Sequence, residues 1–223
     1  MNINDVYEIV LYACAKNQSQ GYISPSDFNL LINQAQVQYT SYLTGSVQSY
    51  RPGRPMPTVE FGENSVVRQR LSPTIYGYNL NVDATGFSPY PNDYIQTDAM
   101  WSYYGFNRIR YVAQDRLFFI YNSVIDPIET NPIYLIQDTG FKFYPQSLGM
   151  AYLSYVRNPQ RIEWAYTLDI YGQPVYDPIN SIDPIWDDAA MWDIICRTLS
   201  LTGVNLQLGV VMNYAQDIKK TGQ

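Results

Sequence analysis

Proline most constrains the fold of this chain, because it lacks a backbone N–H and interrupts both helix interiors and sheet ladders. Pro25 and Pro184 stand where a helix can begin, and the residues after each of them form apolar stripes at helical spacing. Residues 46–106 instead contain the run RPGRPMPTVEFG and three further prolines. This punctuation excludes long regular elements from the segment, so we predict an extended arm or large loop there, in which Tyr78, Leu80 and Val82 alternate as in a short strand.

Amphipathic helices are predicted near both ends of the chain. Residues 4–16 and 25–44 each place apolar side chains on one helical face, and Ser24 is the expected N-cap of the second helix. Asp183 is the expected N-cap of a helix that begins at Pro184, and a last stripe covers 204–218. Since every stripe needs an apolar partner, residues 1–45 and 184–223 are predicted to form one helical bundle.

The middle of the chain has the alternation typical of strands. RIRYVA and RLFFIY are separated only by Gln114 and Asp115, which predicts a hairpin. The runs IYLIQ, FKFY, AYLSYVR and RIEWAYTLD add further strands with a period of two. Residues 107–183 are therefore predicted to be an antiparallel β region, and the fold class is α+β with terminal helices, a β region and a long arm.

Composition excludes several classes of protein. The chain is 46% hydrophobic and only 15% charged, which argues against disorder, and its net charge of −6 argues against a general nucleic-acid binder. No apolar run is long enough for a membrane span, and the acidic start does not resemble a signal peptide. Cys14 and Cys196 lie in apolar helical patterns, so buried free thiols are favoured over a single disulfide.

The sequence offers no catalytic set. It contains no histidine, which removes the Ser-His-Asp and Cys-His arrangements and the histidine zinc sites. The one acidic cluster contains Asp183, Asp187, Asp188 and Asp193, and helix capping accounts for most of it. Glu163 beside Trp164 resembles half of a glycosidase pair, but a lone glutamate on a strand is more typical of a solvated residue. We expect no catalytic residue, no metal site and no cofactor.

Two groups of residues are candidates for assembly. The helix over 25–44 has an uncharged amide face, which costs less to dehydrate than a charged one and suits an interface between subunits; a solvated face is the alternative. The predicted interface residues of this helix are Asn33, Gln34, Gln36 and Gln38. The arm contributes Arg51, Arg54, Arg68, Arg70 and Phe61.

Charge is distributed unevenly along the chain. Residues 51–70 carry four arginines and two glutamates, a net charge of +2, so the remainder carries −8. Arginine pairs bidentately with carboxylates and phosphates, so the arm can dock on the acidic surface of another copy or contact DNA. Docking on another copy is favoured because the rest of the same chain is acidic.

Four stretches of the sequence resemble one family. They are DVYEIVLYACAKNQSQGYISPSDFNLLINQAQVQYTSYLTG, DRLFFIYNSVIDPIETNPIYLI, GFKFYPQSLGMAYLSYVRNPQRIEWAY and IICRTLSLTGVNLQLGVVMNYAQDIKKTG. Together they are similar to head–tail connector ring proteins, of the adaptor or tail-tubular type, from short-tailed bacteriophages of the crAss-like gut group. The likeness covers most of the chain outside the arm.

The resemblance implies a structural protein of the virion. Such a protein is made in the host bacterial cytoplasm and assembles as a ring, usually of twelve copies, between the portal protein and other tail or hub proteins around the DNA channel. A carbohydrate-binding or receptor-binding component of the tail or head fibres is the alternative, supported by the abundance of Tyr and Trp. A small hydrolase that uses carboxylates is a third hypothesis, and it requires an acidic cleft.

Overall fold

The computed structural model describes residues 1–16, 23–45, 65–103, 105–121 and 127–202. The chain forms two compact units. The first combines both ends of the chain, Met1–Tyr42 and Gln160–Gln223, and the second is Leu43–Pro159. The sequence placed these boundaries after residue 45 and before residue 184, so the segment from 160 onward belongs with the terminal helices rather than with the β region.

The described residues form helices and strands in the following order. The helices are α1 (Ile3–Lys16), α2 (Pro25–Thr44), α3 (Ser65–Leu71), α4 (Gln114–Tyr121) and α5 (Asp188–Leu201). The strands are β1 (Ile75–Asn81), β2 (Phe87–Pro89), β3 (Tyr94–Ser102), β4 (Arg110–Tyr111), β5 (Ile133–Ile136), β6 (Gly140–Tyr144), β7 (Met150–Arg157), β8 (Tyr166–Leu168) and β9 (Pro174–Tyr176).

The predicted helical bundle is wrong. In the first unit α1 packs against α5, and aromatic side chains from the non-helical segment 160–187 also pack on the helices. The Trp164 ring lies 4.2 Å from Tyr7 of α1, and the Trp186 ring lies 5.3 Å from Tyr39 of α2. Indole rings therefore cover part of the apolar stripes, beside a direct contact of Tyr7 with Phe28 of α2 (4.9 Å). The stripe over 204–218 lies outside the described residues.

The N-cap of α2 is the predicted residue, whereas the N-cap of α5 is not. The Ser24 hydroxyl accepts the Asp27 N–H (3.1 Å), which confirms the predicted start of α2. Asp187, not Asp183, is the N-cap of α5, and its carboxylate accepts the Ala190 N–H (2.8 Å). Asp183 instead accepts the N–H of Ile3 (2.9 Å), the first residue of α1. The predicted cap thus serves a helix far away in the sequence.

The long extended arm is also wrong for its second half. In the second unit β7 is the central strand of a three-stranded antiparallel sheet, with β1 and β3 on its two sides. Both flanking strands come from the segment that was predicted to be an arm. The buried residues Ala151, Leu153 and Tyr155 alternate along β7, which confirms the predicted period of two. Residues 46–64 lie outside the described residues.

A second sheet corrects the predicted hairpin. Its strand order is β2-β6-β5-β4, and β4 runs parallel to β5. The run RLFFIY is helical, in α4, and does not pair with RIRYVA. The Arg116 N–H donates to the Ala113 carbonyl (3.0 Å), so the chain turns into a helix where a hairpin turn was expected. RLFFIY has no strict alternation of apolar and polar residues, so its pattern does not require a strand.

The core of the second unit is aromatic. Phe141 and Phe143 are fully buried, and Tyr134 lies beside both, with ring centroids at 5.6 and 6.4 Å. Burial raises the pKa of Tyr134 to about 12, because the charged phenolate would lose its hydration. The neutral phenol is thus part of the folded core.

We expect the second unit to lose stability in alkali because of this tyrosine. An unfolded tyrosine titrates near pH 10, so the contribution is complete below that pH and is lost as the pH rises toward 12. The loss from this one group is about 1 kcal/mol at pH 11. Urea unfolding at pH 9 and pH 11 should show a smaller alkaline loss for Tyr134→Phe than for the wild type or for the control Tyr171→Phe, which removes an exposed hydroxyl. Equal losses in all three proteins would contradict this account.

Candidate functional site

The predicted arginine cluster is divided by the structure. Arg51, Arg54 and Phe61 lie outside the described residues, whereas Arg68 and Arg70 lie on α3. Arg68 forms a bidentate pair with Asp98 of β3, at 2.7 and 2.6 Å. The Asp98 side chain is only 2% exposed, and the Ser154 hydroxyl also donates to it (2.7 Å). Arg68 therefore neutralises a buried carboxylate of its own unit, while Arg70 is exposed.

The amide face of α2 binds the backbone of its own chain. Asn29 Nδ2 donates to the Trp164 carbonyl (3.0 Å), and the Trp164 N–H donates back to Asn29 Oδ1 (2.8 Å). Asn33 forms the same pair with Ile162, at 2.7 and 3.0 Å. Gln36 Nε2 donates to the Gln160 carbonyl (3.0 Å). We call Asn29, Asn33 and Gln36 the amide ladder.

Helix and strand spacings explain why the ladder fits. Residues four apart on a helix rise about 6 Å, and residues two apart on an extended chain rise about 6.6 Å. Asn29 and Asn33 therefore meet Trp164 and Ile162, as a neighbouring strand would. Of the four predicted interface residues, Asn33 and Gln36 are used inside the unit, and Gln34 and Gln38 are exposed. An interface role for Gln34 and Gln38 stays a prediction.

The candidate acidic residues Asp183, Asp187 and Glu163 have structural partners. Asp183 and Asp187 cap helices, as described above, and Glu163 forms a backbone bridge with Ile182. Within the described ranges, no group of three or more histidine, cysteine or acidic side chains is arranged to hold a metal ion. Both cysteines are free; Cys14 is buried, and burial raises the pKa of its thiol. Cys196 is exposed, so the prediction of two buried thiols holds only for Cys14.

The hairpin of β8 and β9 displays apolar side chains on a rigid turn. Asp169 Oδ1 accepts the backbone N–H groups of Tyr171 and Gln173, each at 2.8 Å. Gly172 closes the turn in the left-handed region, with φ of 75°, where glycine is favoured. Between them Ile170 is 90% exposed, and Tyr171 is also exposed. The turn thus holds two large apolar groups in solvent.

The turn that follows the hairpin also holds an apolar side chain in solvent. Asp177 Oδ1 accepts the Ile179 N–H (3.0 Å), and Asn180 Nδ2 donates to Asp177 Oδ2 (2.6 Å). The bond from Asn180 lowers the pKa of Asp177, which keeps the turn-forming carboxylate charged. Ile179, held by this turn, is 89% exposed. Leu168 and Val175 of the strands are exposed as well. We call Leu168, Ile170, Tyr171 and Ile179 the apolar hairpin surface; Val175 pairs with Thr167 and so lies on the other face of the strands from Leu168.

The base of the hairpin is well anchored. The Trp164 ring stacks with Tyr166 of β8 and Tyr176 of β9, at 5.8 and 5.7 Å. The Ser181 hydroxyl accepts the Ala165 N–H (3.0 Å), which ties the two ends of the hairpin together. An isolated two-stranded hairpin is marginal in water, so this anchoring is what allows it to present exposed apolar groups.

The second unit has an exposed surface that is aromatic and positively charged. Residues 106–119, from before β4 to within α4, contain exposed aromatic side chains and three arginines against one aspartate, a net charge of +2. Phe119 is 72% exposed. Phe106 is exposed on a backbone of positive φ (52°), which is costly for a bulky residue. We call this stretch the arginine–aromatic segment; its exposed members are Phe106, Arg108, Arg110, Tyr111, Arg116, Phe118 and Phe119.

Sequence reasoning missed both apolar surfaces. It treated RIEWAYTLD as one strand, although only Tyr166–Leu168 is a strand there. A signal for the hairpin was present, since Asp169 and Gly172 stand at the first and last positions of a turn. The central positions of such a turn normally carry polar residues, and here they carry Ile170 and Tyr171.

No protein-family model matches the chain, and no curated protein matches it. Among the residues that the structure describes, no helix is both long and apolar enough to cross a membrane.

Proposed function

We propose that this chain is a structural subunit of a virion, which forms a homo-oligomeric ring in the connector between the portal and the tail of a short-tailed phage. Its partners are further copies of itself, the portal protein and neighbouring tail or hub proteins, around the DNA channel. It has no cofactor and no catalytic role. The site of action is the assembled particle, after synthesis in the bacterial host.

The observation that carries the proposal is the apolar hairpin surface. Ile170 and Ile179 are held almost fully in solvent by turns that their aspartates make rigid. Burying one such side chain is worth about 1.5–3 kcal/mol, and a rigid display loses little entropy on binding. Large apolar groups held in solvent in this way suit a protein–protein contact. The sequence resemblance to connector ring proteins supplies the kind of assembly.

Sedimentation velocity over a concentration series, followed by negative-stain electron microscopy, tests the proposal. We expect the purified chain to form high oligomers in which ring-shaped particles are visible, with a symmetry that matches the usual twelvefold portal. A receptor-binding component would instead remain a monomer or trimer and bind glycans on an array. A chain that stays monomeric at every concentration would contradict the ring.

A further inference from the structure

We propose that the apolar hairpin surface of one copy docks on the arginine–aromatic segment of the next copy, in a head-to-tail contact. The contact deepens the ring proposal and rests on it. It joins the first unit of one subunit to the second unit of its neighbour. The named side chains of both surfaces are exposed, although Ile109 within the segment belongs to the core and Tyr111 lies beside Tyr134 (5.7 Å).

Charge complementarity selects this pairing. Residues 165–183, which contain the hairpin, carry three aspartates and no lysine or arginine, a net charge of −3. The arginine–aromatic segment has a net charge of +2, in a chain whose net charge is −6. Two hairpins facing each other would bring like charges together, whereas a hairpin facing the segment brings opposite charges together. The acidic hairpin thus favours the basic segment over another hairpin.

The apolar parts of the two surfaces also suit each other. The hairpin offers Ile170 and Ile179 on fixed turns, and the segment offers Phe119 on α4 and Tyr111 of β4, with only Val112 and Ala113 between these two elements. Aromatic and arginine side chains are enriched where protein interfaces gain most of their binding energy. Arginine stems can cover the rim while their guanidinium groups meet the hairpin carboxylates.

A head-to-tail contact has a distinctive consequence. Different surfaces meet, so each subunit keeps one free surface after it has bound one neighbour, and assembly continues until a ring closes. A contact of one surface with itself would stop at a dimer. A subunit lacking one surface and a subunit lacking the other should therefore still form one joint between them, and no more.

Two variants and their mixture test the contact. Ile170→Glu combined with Tyr171→Glu disables the hairpin, and Arg116→Glu combined with Phe119→Glu disables the segment. The control is Ile136→Glu, at the end of β5, which is 52% exposed and belongs to neither surface. Circular dichroism first establishes that every variant is folded. In sedimentation velocity we expect each double variant alone to be monomeric, their equimolar mixture to form a dimer, and the control to assemble like the wild type.

The outcomes distinguish failure of the proposed contact from failure of the proposed ring. If the wild type assembles and either double variant assembles equally well, the contact is wrong while the ring proposal stands. If both variants are monomeric and their mixture is monomeric too, the surfaces do not meet each other and the contact is again wrong. If the wild type itself never associates, the ring proposal fails and the contact fails with it.

Discussion

Asn33→Ala is expected to lower the free energy of unfolding of the first unit by about 3 kcal/mol. Asn33 uses its full hydrogen-bonding capacity: its Nδ2 donates to the carbonyls of Ile162 and Asn29, and its Oδ1 accepts from the Ile162 N–H and from Gln36 Nε2. The substitution leaves both backbone groups of Ile162, whose side chain is buried, without their partner. Urea unfolding followed by tryptophan fluorescence measures the loss.

The neighbouring amide supplies a matched control. Gln34 is exposed on the same helix, so Gln34→Ala should change the free energy of unfolding by less than about 0.5 kcal/mol. Asn33→Asp keeps the acceptor but loses both donors, so it should also destabilise the unit. Hydrogen exchange gives a local readout, since the amides of Ile162 and Trp164 should exchange faster in both Asn33 variants. Unchanged protection at these two amides would show that the ladder does not hold the segment.

Arg68→Ala is expected to destabilise the second unit by about 3 kcal/mol, because it leaves the Asp98 carboxylate buried without its counter-charge. Asp98→Asn in the same protein removes that charge and keeps an acceptor for Ser154, so the double variant should recover part of the loss. Thermal unfolding of the wild type, both single variants and the double variant gives the coupling between the residues. Gln69→Ala, exposed on the same helix, is the control.

A coupling near zero would mean that Arg68 is not needed to neutralise Asp98.

The expected coupling also affects how assembly experiments are read. Charge reversal at Arg68 would place a glutamate against a buried aspartate, so a failure to assemble would report a folding defect. Substitutions at Arg116 and Phe119 avoid this problem, because both side chains are exposed.

Elements with strong local signals could be predicted from the sequence. The bounds of α2, Pro25–Thr44, are those predicted, because Ser24, Pro25 and the apolar stripe all act within a few residues of the element they define. The alternation along β7 is confirmed for the same reason, since Ala151, Leu153 and Tyr155 are buried whereas Tyr152 and Ser154 are only partly buried. Free thiols and the early helix of residues 4–16 also follow from local pattern.

Elements that depend on a distant partner could not be predicted in this way. The run RLFFIY has strand-like composition but is helical, and β4 pairs with β5 instead of with it. The segment 75–102 contains prolines and glycines that interrupt strands. It nevertheless forms β1 and β3, because β7 supplies backbone hydrogen bonds to a strand on each of its two sides. The sequence predicted β7 itself and the alternation of Tyr78, Leu80 and Val82, but not that β1 and β3 pair with β7.

For the candidate surfaces, too, the sequence showed the types of side chain and the tertiary structure decided their partners. By itself the sequence determined that α2 has an uncharged amide face and that the arginines are unevenly distributed, since these depend only on residue type and spacing. Only the tertiary structure decided which groups those side chains meet. It paired Asn33 with Ile162 and Arg68 with Asp98, and it left Ile170 and Phe119 in solvent. The physical reason is that hydrogen bonds, ion pairs and burial are formed between residues far apart in the chain, and a local pattern specifies what a side chain can bind but not what lies opposite it.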